Sequence, residues 1–561
     1  VSIQELPVRE MKWVYLAILL AVALSARLYM LDELPYGLNA DETRMAYDGY
    51  LYLEDGVYRP LVYQQRESTL PYVYGGLITL YGFSNGVIRF PSALLGMVSC
   101  LSLCLLIFRV LPDFWAFCTS LVVVTYGPLV ALDRLALRTS VCTAVVFVFL
   151  AFFFFFGPSD KRLHWFFLGF IFGVGFHTYN AYKVMPLVVM VLLAIHVWDP
   201  PDLSSLWRKM YFFIAGAFLG AANLVYTVLT ESPDTYLWRE TAVFGKVASA
   251  EGGPFGTILR NLLDFARMLL GQESPLPWGA MVGYFHFVWV PLLAIGVYTA
   301  ARSRPRSVEF ALLITFCVFL VPGLLSTEMF ARRILTPLVL AVTLSGIGLY
   351  EVVRKFGWEL NRRVRAGTLL LAVGLAVWNM VSYFVVYAAQ PKWEQGPFSA
   401  AHRWIGPQVR ELVDPATKVI FAEGASDYWL VQLYLTDILD VHEKSASFFY
   451  MPDNIDDAHL ADVESFCAGD NPVLFVFRGF TPEKVVEGVV RRCDLDEVVP
   501  LDRPGDIYPR PARRFILMRR SGHCDMGRKD GSVVSQVLEI VPKKPLSDPV
   551  PVETIVTRGT R

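Results

Sequence analysis

The chain has 561 residues, of which 55% are hydrophobic and 18% charged, and its mean hydropathy is +0.45. Soluble proteins carry about a quarter charged residues; the shortfall here lies in the first 390 positions, which excludes a soluble domain over that stretch. A net charge of −1, with no long basic run, offers no electrostatic footprint for nucleic acid.

A run of about 20 apolar residues crosses a hydrocarbon core of about 30 Å. Eleven such spans are expected, at 13–31, 87–108, 114–132, 139–156, 164–179, 182–198, 210–229, 282–300, 308–325, 334–352 and 367–388. The first ends at Asp32 and Glu33 instead of a small-residue cleavage site, so it reads as a retained span. Residues 68–82 form a shorter apolar stretch, re-entrant or interfacial. Lys and Arg bias sets the orientation. Arg9 and Lys12 precede the first span, and the short loops on the same side carry Arg109, Lys161, Arg208, Arg302, Arg354 and their basic neighbours. The N-terminus is therefore expected in the cytoplasm, and an odd number of spans leaves residues 390–561 outside a multi-pass inner (plasma) membrane protein.

The expected fold is an α-helical polytopic membrane domain over 1–390, with about 11 transmembrane helices and long outer-face loops at 32–86 and 230–281. Within the second loop, Ile258–Leu270 has an amphipathic pattern suited to the interface. A soluble extracytoplasmic α/β domain is expected over 391–525. Its strands are read at Lys418–Ala422, Val473–Phe477 and Arg514–Met518, and a helix at Pro482–Cys493. The remaining 526–561 reads as a flexible tail. Five of the eight cysteines sit in apolar runs as small core residues; Cys467, Cys493 and Cys524 lie in the outer part, where one disulfide can form.

Four constellations could carry chemistry. Asp41 and Glu42 lie just outside the first span, in Pro35-Tyr-Gly-Leu-Asn-Ala-Asp-Glu. Such a pair can deprotonate an acceptor hydroxyl or bind a divalent cation, and it can equally serve as a helix entry with Asn39 or Asp41 as cap. Asp133-Arg134-Leu-Ala-Leu-Arg138 ends the third span, and on a helix its two arginines share a face. Arginine suits a phosphate, and it also anchors span ends at the interface. Between spans five and six stand His177, Tyr179 and Lys183; at the start of the tenth stand Arg332 and Arg333. Ionisable groups at membrane depth usually face a cavity, so cations at three outer helix ends beside one acidic loop point to a site for an anionic lipid headgroup. No HExxH, Walker A or dinucleotide fingerprint is present.

At these residues the chain resembles the GT-C glycosyltransferases of the protein O-mannosyltransferase and aminoarabinose-transferase kind. Five short motifs appear in family order between about residue 13 and about residue 352. They are Pro35-x-Gly-Leu-Asn-x-Asp-Glu with Tyr47-Asp48, then Glu67-Ser-Thr-Leu-Pro-Tyr72, then Arg89-Phe-Pro-Ser-Ala with Gly96. Asp133-Arg-Leu-Ala-Leu-Arg138 and Tyr179-Asn-Ala-Tyr-Lys-Val-Met-Pro186 complete the set. The resemblance implies a metal-independent or weakly metal-assisted inverting transfer of a hexose or pentose from a polyprenyl phosphate to an acceptor on the outer face. Asp41 would be the catalytic base with Glu42 supporting it. Arg134, Arg138, Lys183, Arg332 and Arg333 would hold the donor phosphate. Glu67, Tyr72, Asp133, His177 and Tyr179 would line the substrate cavity. No metal site is assigned, although a divalent cation at Asp41 and Glu42 is a candidate cofactor. Ser68 and Lys183 depart from the family's Lys and Arg, which leaves donor sugar and acceptor (protein, lipid or glycan) unassigned. Two rival readings share these residues: a non-catalytic scaffold subunit that meets a protein partner through its C-terminal domain, and a transporter of lipid-linked sugar.

Overall fold

The structure is a computed structural model. It describes residues 8–35, 38–54, 56, 58, 61–62, 66–156, 161–197, 203–230, 245–250, 252–270, 289–327, 329–387, 417–422, 447–450, 457–468, 471–478, 488–491, 493, 495, 497–499 and 515–520. The chain divides into two compact units, Val1–Tyr36 with Asp41–Pro397, and Gly37–Ala40 with Phe398–Arg561.

In the first unit every expected span holds a helix. These are α1 (Val8–Leu28), α4 (Asn85–Val110), α5 (Asp113–Val124) with α6 (Gly127–Asp133), α7 (Arg138–Phe156), α8 (Arg162–Val174) and α9 (Met185–Val197). They continue with α10 (Leu203–Gly220) and α11 (Ala222–Thr230), α13 (Trp289–Arg302), α14 (Val308–Leu324), α15 (Leu335–Lys355) and α16 (Arg362–Val381). The segments between these spans add α2 (Ala40–Glu54), α3 (Thr69–Tyr81), the two-residue strands β1 (Leu61–Val62) and β2 (Arg66–Glu67), and α12 (Gly253–Leu269). Among the described residues, five single helices are long and apolar enough to cross a bilayer: those over Met11–Leu28, Asn85–Val110, Arg138–Phe156, Leu335–Lys355 and Arg362–Val385. Two bent pairs also qualify, α5 with α6 at 55° and Trp207–Gly220 with α11 at 69°. The protein is therefore a multi-pass membrane protein.

The first bend has a local cause. Pro128 has no N–H to give to Val124, so α5 ends there and α6 restarts with proline in its first turn. The bend turns Asp133 and Arg134 into the bundle. Elsewhere the helices are drawn together by absent side chains. A Cβ on Gly169 would lie 1.9 Å from the Phe213 carbonyl oxygen, and one on Gly216 would lie 2.0 Å from that of Phe166. With Gly173 and Gly220, each one turn further along, they form a glycine seam that lets the α8 and α10 backbones touch. In a bilayer such close packing replaces the hydrophobic effect as the force between helices.

The second unit holds a five-stranded sheet in the order β4-β3-β5-β7-β6, built from β3 (Lys418–Ala422), β4 (Ser447–Tyr450), β5 (Val473–Arg478), β6 (Glu497–Val499) and β7 (Phe515–Arg520). β3 runs parallel to β4 and β5, while β7 runs antiparallel to β5 and β6. In central β5 Val473, Leu474 and Phe475 are all buried, as expected of a strand covered on both faces. Helix α17 (Asp457–Cys467) precedes β5, and Cys467 pairs with Cys493. Cys524, the tail 526–561 and all but residues 488–491 and Cys493 of the helix expected over Pro482–Cys493 lie outside the described residues.

Candidate active site

Asp41 and Glu42 occupy the first turn of α2, where acidic side chains complement the helix dipole. Successive residues of a helix point about 100° apart, and the two carboxylates part company accordingly. Glu42 turns inward and is fully buried. Its Oε1 accepts Nε of Arg89 at 3.0 Å and the backbone N–H of Ala136 at 2.8 Å. Arg89, equally buried, also donates Nη1 to the Pro35 carbonyl at 2.8 Å. Glu42 thus ties α2, α4 and the turn after α6 together. The residue expected to support Asp41 is thus held in a buried network.

Asp41 points the other way. Its Oδ2 accepts Nη1 of Arg332 at 3.3 Å, and the two side chains remain 30% and 26% exposed. Arg332 and Arg333 lie on the short 3-10 turn Ala331–Arg333 that leads into α15, and both guanidiniums sit over the Phe330 ring, at 5.4 and 4.6 Å from its centroid. Asp41 and Arg332 are thus an acid and a cation in contact and partly open to solvent, at the end of a span. Lys183 is half-buried on the 3-10 turn Asn180–Val184, which packs against α14. Tyr179 is half-buried just before it.

Arg134, Asp133 and His177 make hydrogen bonds within the helical unit. Arg134 is not on a helix face shared with Arg138, because α6 stops at Asp133 and α7 starts at Arg138. Its guanidinium is wholly buried and all five N–H groups are used. Nε donates to the Tyr383 hydroxyl at 3.1 Å. Nη1 donates to the carbonyls of Ala26 and Arg27, and Nη2 to those of Met30 and Leu34, all within 3.2 Å. Arg134, expected at the donor phosphate, therefore caps orphan carbonyls at the end of α1. Asp133, expected in the cavity, is likewise engaged within the bundle. Its Oδ2 accepts Nε of Arg27 at 2.8 Å, with both side chains fully buried. Gly96 makes room for it, since a Cβ there would lie 2.3 Å from the Asp133 carboxyl carbon. Arg138 is buried. His177 is buried too and donates Nε2 to the Gly220 carbonyl at 2.9 Å, a contact between helix ends.

Tyr72 does line a cavity, of about 660 Å³, whose walls include Tyr52, Tyr58, Ser68, Thr69 and Val73. Tyr58 and Tyr72 stack with centroids 5.7 Å apart, and Tyr58 is fixed from α11 by a hydrogen bond to Asn223 and an edge contact with Tyr226. The side chain of Glu67 lies outside the described residues. A cation shared by Asp41 and Glu42 does not fit, because Glu42 is committed to Arg89 and Asp41 faces elsewhere; among the described residues no three His, Cys, Asp or Glu converge.

A solved structure of ArnT from Cupriavidus metallidurans bound to undecaprenyl phosphate superposes with a TM-score of 0.58, at 14% identity, over 92% of this chain and 99% of that one. The apo form of the same protein gives 0.58, at 16% identity, over 93% and 100%. The chain has the GT-C fold. The family described as dolichyl-phosphate-mannose-protein mannosyltransferase matches residues 69–229, which run from α3 to α11. The oligosaccharyltransferase AglB of Archaeoglobus fulgidus gives a weaker score of 0.46, at 11% identity, over 86% of this chain and 71% of that one. No curated protein matches the sequence.

Sequence reasoning missed Arg27 and Asn261. Arg27 had a readable signal, a charge inside an apolar span, which calls for a buried partner. Asn261 had none.

Proposed function

We propose that this GT-C protein is a glycosyltransferase that moves a sugar from a polyprenyl monophosphate to an acceptor on the outer face of the membrane, with inversion. The observation that carries this reading is the open Asp41–Arg332 pair. ArnT, the structural relative, binds undecaprenyl phosphate, and a lipid phosphate is the ligand that a solvent-facing arginine pair at a span end suits. In the resting arrangement Arg332 neutralises Asp41. A donor phosphate draws Arg332 and Arg333 to itself, with Lys183 as a further cation, and relieves the Asp41 carboxylate of its contact with Arg332. The acceptor hydroxyl gives its proton to Asp41 as its oxygen forms a bond to the anomeric carbon. The bond from that carbon to the phosphate oxygen breaks, and the electron pair leaves with polyprenyl phosphate, whose growing charge the arginines stabilise.

The placement of the second unit outside the cytoplasm is supported by the Cys467–Cys493 disulfide, which persists in oxidising compartments, and by the basic inner loops. The aromatic cavity at Tyr58 and Tyr72 is proposed as part of the substrate site. The test is release of polyprenyl phosphate by the purified protein. Asp41→Asn should lower it by about 10² to 10⁴-fold without loss of expression, the range for a removed general base; near-normal turnover would sink the assignment.

A further inference from the structure

Helix α12 grips the segment that delivers Arg332. Asn261 is wholly buried, and its amide nitrogen lies within hydrogen-bonding distance of three carbonyls, Gly323 at 3.3 Å, Leu324 at 2.9 Å and Ser326 at 2.6 Å. α14 ends at Leu324, so these include carbonyls left over by its last turn. The preceding Arg260 donates Nη2 to the Thr327 carbonyl at 2.7 Å. The same segment doubles back on itself. The Ser326 hydroxyl donates to Gly323 at 2.7 Å, and a Cβ on Gly323 would lie 2.3 Å from Ile334 Cγ2 and 2.9 Å from Met329 Sδ. One end of this fold is therefore held by α12. The other end is the turn Ala331–Arg333, which puts Arg332 3.3 Å from Asp41.

The remaining face of α12 is apolar and open. Phe255, Leu259, Leu262, Leu263 and Leu270 are 47–78% exposed, at positions that recur with helical spacing. That is the face of a helix lying in the membrane interface.

We infer that Asn261 is the positioning residue for Arg332, so that a helix seated in the interface sets where the phosphate-binding cation stands relative to Asp41. A buried amide that only capped α14 would need neither the bond to Ser326 nor the neighbouring bond from Arg260 to Thr327. Those two bonds lie beyond the helix end, on the path toward Arg332. The inference rests on the proposed role of Arg332 at the donor phosphate, and the experiment keeps the two apart.

The full chain in lipid nanodiscs is compared as wild type, Asn261→Ala, Arg332→Ala and the double variant. Hydrogen exchange reads residues 325–334, and titration with undecaprenyl phosphate reads binding. In Asn261→Ala, the amides of Ser326, Arg333 and Ile334 should exchange about tenfold faster while α7 is unchanged, and lipid affinity should fall about tenfold, the scale of lost buried hydrogen bonds. The double variant should bind no worse than Arg332→Ala, because a misplaced cation and a missing one cost the same contact. Wild-type exchange over 325–334, or losses that multiply in the double variant, would overturn the inference. If Arg332→Ala alone binds the lipid normally, the phosphate reading has failed, and the exchange data still decide whether Asn261 holds the segment. Should Asn261→Ala not fold, Arg260→Ala removes only the bond to Thr327 and should shift exchange and affinity in the same direction by about threefold; no shift overturns the inference.

Discussion

Two charged regions of the first unit differ in what surrounds them. Around the C-terminal end of α1, the pairs Arg27–Asp133 and Arg89–Glu42 are sealed, with every named side chain at 0% exposure. A few residues away, Asp41 and Arg332 hold each other at 3.3 Å with about a quarter of each side chain in solvent. The sealed pairs have lost their water and need their partners; such charges set the positions of α1, α2, α4 and the turn after α6. The open pair has kept part of its hydration, so a better ligand can displace either partner at modest cost. Adjacent residues 41 and 42 fall on opposite sides of this divide. Proximity in sequence therefore says little about shared work, and access to solvent says much more.

This contrast can be broken by substitution. The largest effects should come from orphaning a sealed charge. Glu42→Ala and Asp133→Ala should each lose about 3–5 kcal/mol of stability, read as lost expression or a lower melting temperature; replacing both Arg27 and Asp133 with apolar residues should cost less than Asp133→Ala alone. Next comes Arg134→Lys, which keeps the charge but loses the planar fork and most of its five bonds. It should cost about 2–3 kcal/mol, while donor affinity of the protein that does fold stays at the wild-type value; a selective loss of donor binding would return Arg134 to the phosphate site. Arg332→Ala should do the reverse, lowering affinity for undecaprenyl phosphate about tenfold to a hundredfold, the scale of one charge-assisted contact, with little change in melting. The smallest effect is on the stability of Asp41→Asn, which should stay within about 0.5 kcal/mol of wild type, as for other partly exposed positions. A large drop in its melting temperature would place Asp41 among the sealed charges.

Much of the fold was legible because apolar length is a one-dimensional signal. All eleven expected spans contain a helix, the stretch at 68–82 became α3, and the amphipathic run at 258–270 lies in α12. β3 spans the residues expected, and β5 and β7 differ from expectation by one or two residues at an end. The bends at α5–α6 and α10–α11 were not foreseen, since hydropathy reads through a break of one or two residues. The site was harder to read. Arginine at an outer span end can meet a phosphate, a headgroup or a backbone carbonyl, and sequence spacing does not choose among them. Arg134 met carbonyls because Met30 and Leu34 fold back over the end of α1, a path that no local pattern encodes. Arg332 remained accessible because its turn faces Asp41 from a segment almost 300 positions later in the chain.

The glycine seam between α8 and α10 bears on how a long isoprenoid could reach this site. Where Gly169, Gly173, Gly216 and Gly220 bring two backbones into contact, there is no crevice wide enough for a branched hydrocarbon chain. Under the proposed function, a polyprenyl tail would approach Arg332 from a flank other than this seam, and bulky substitutions along the seam would part α8 from α10.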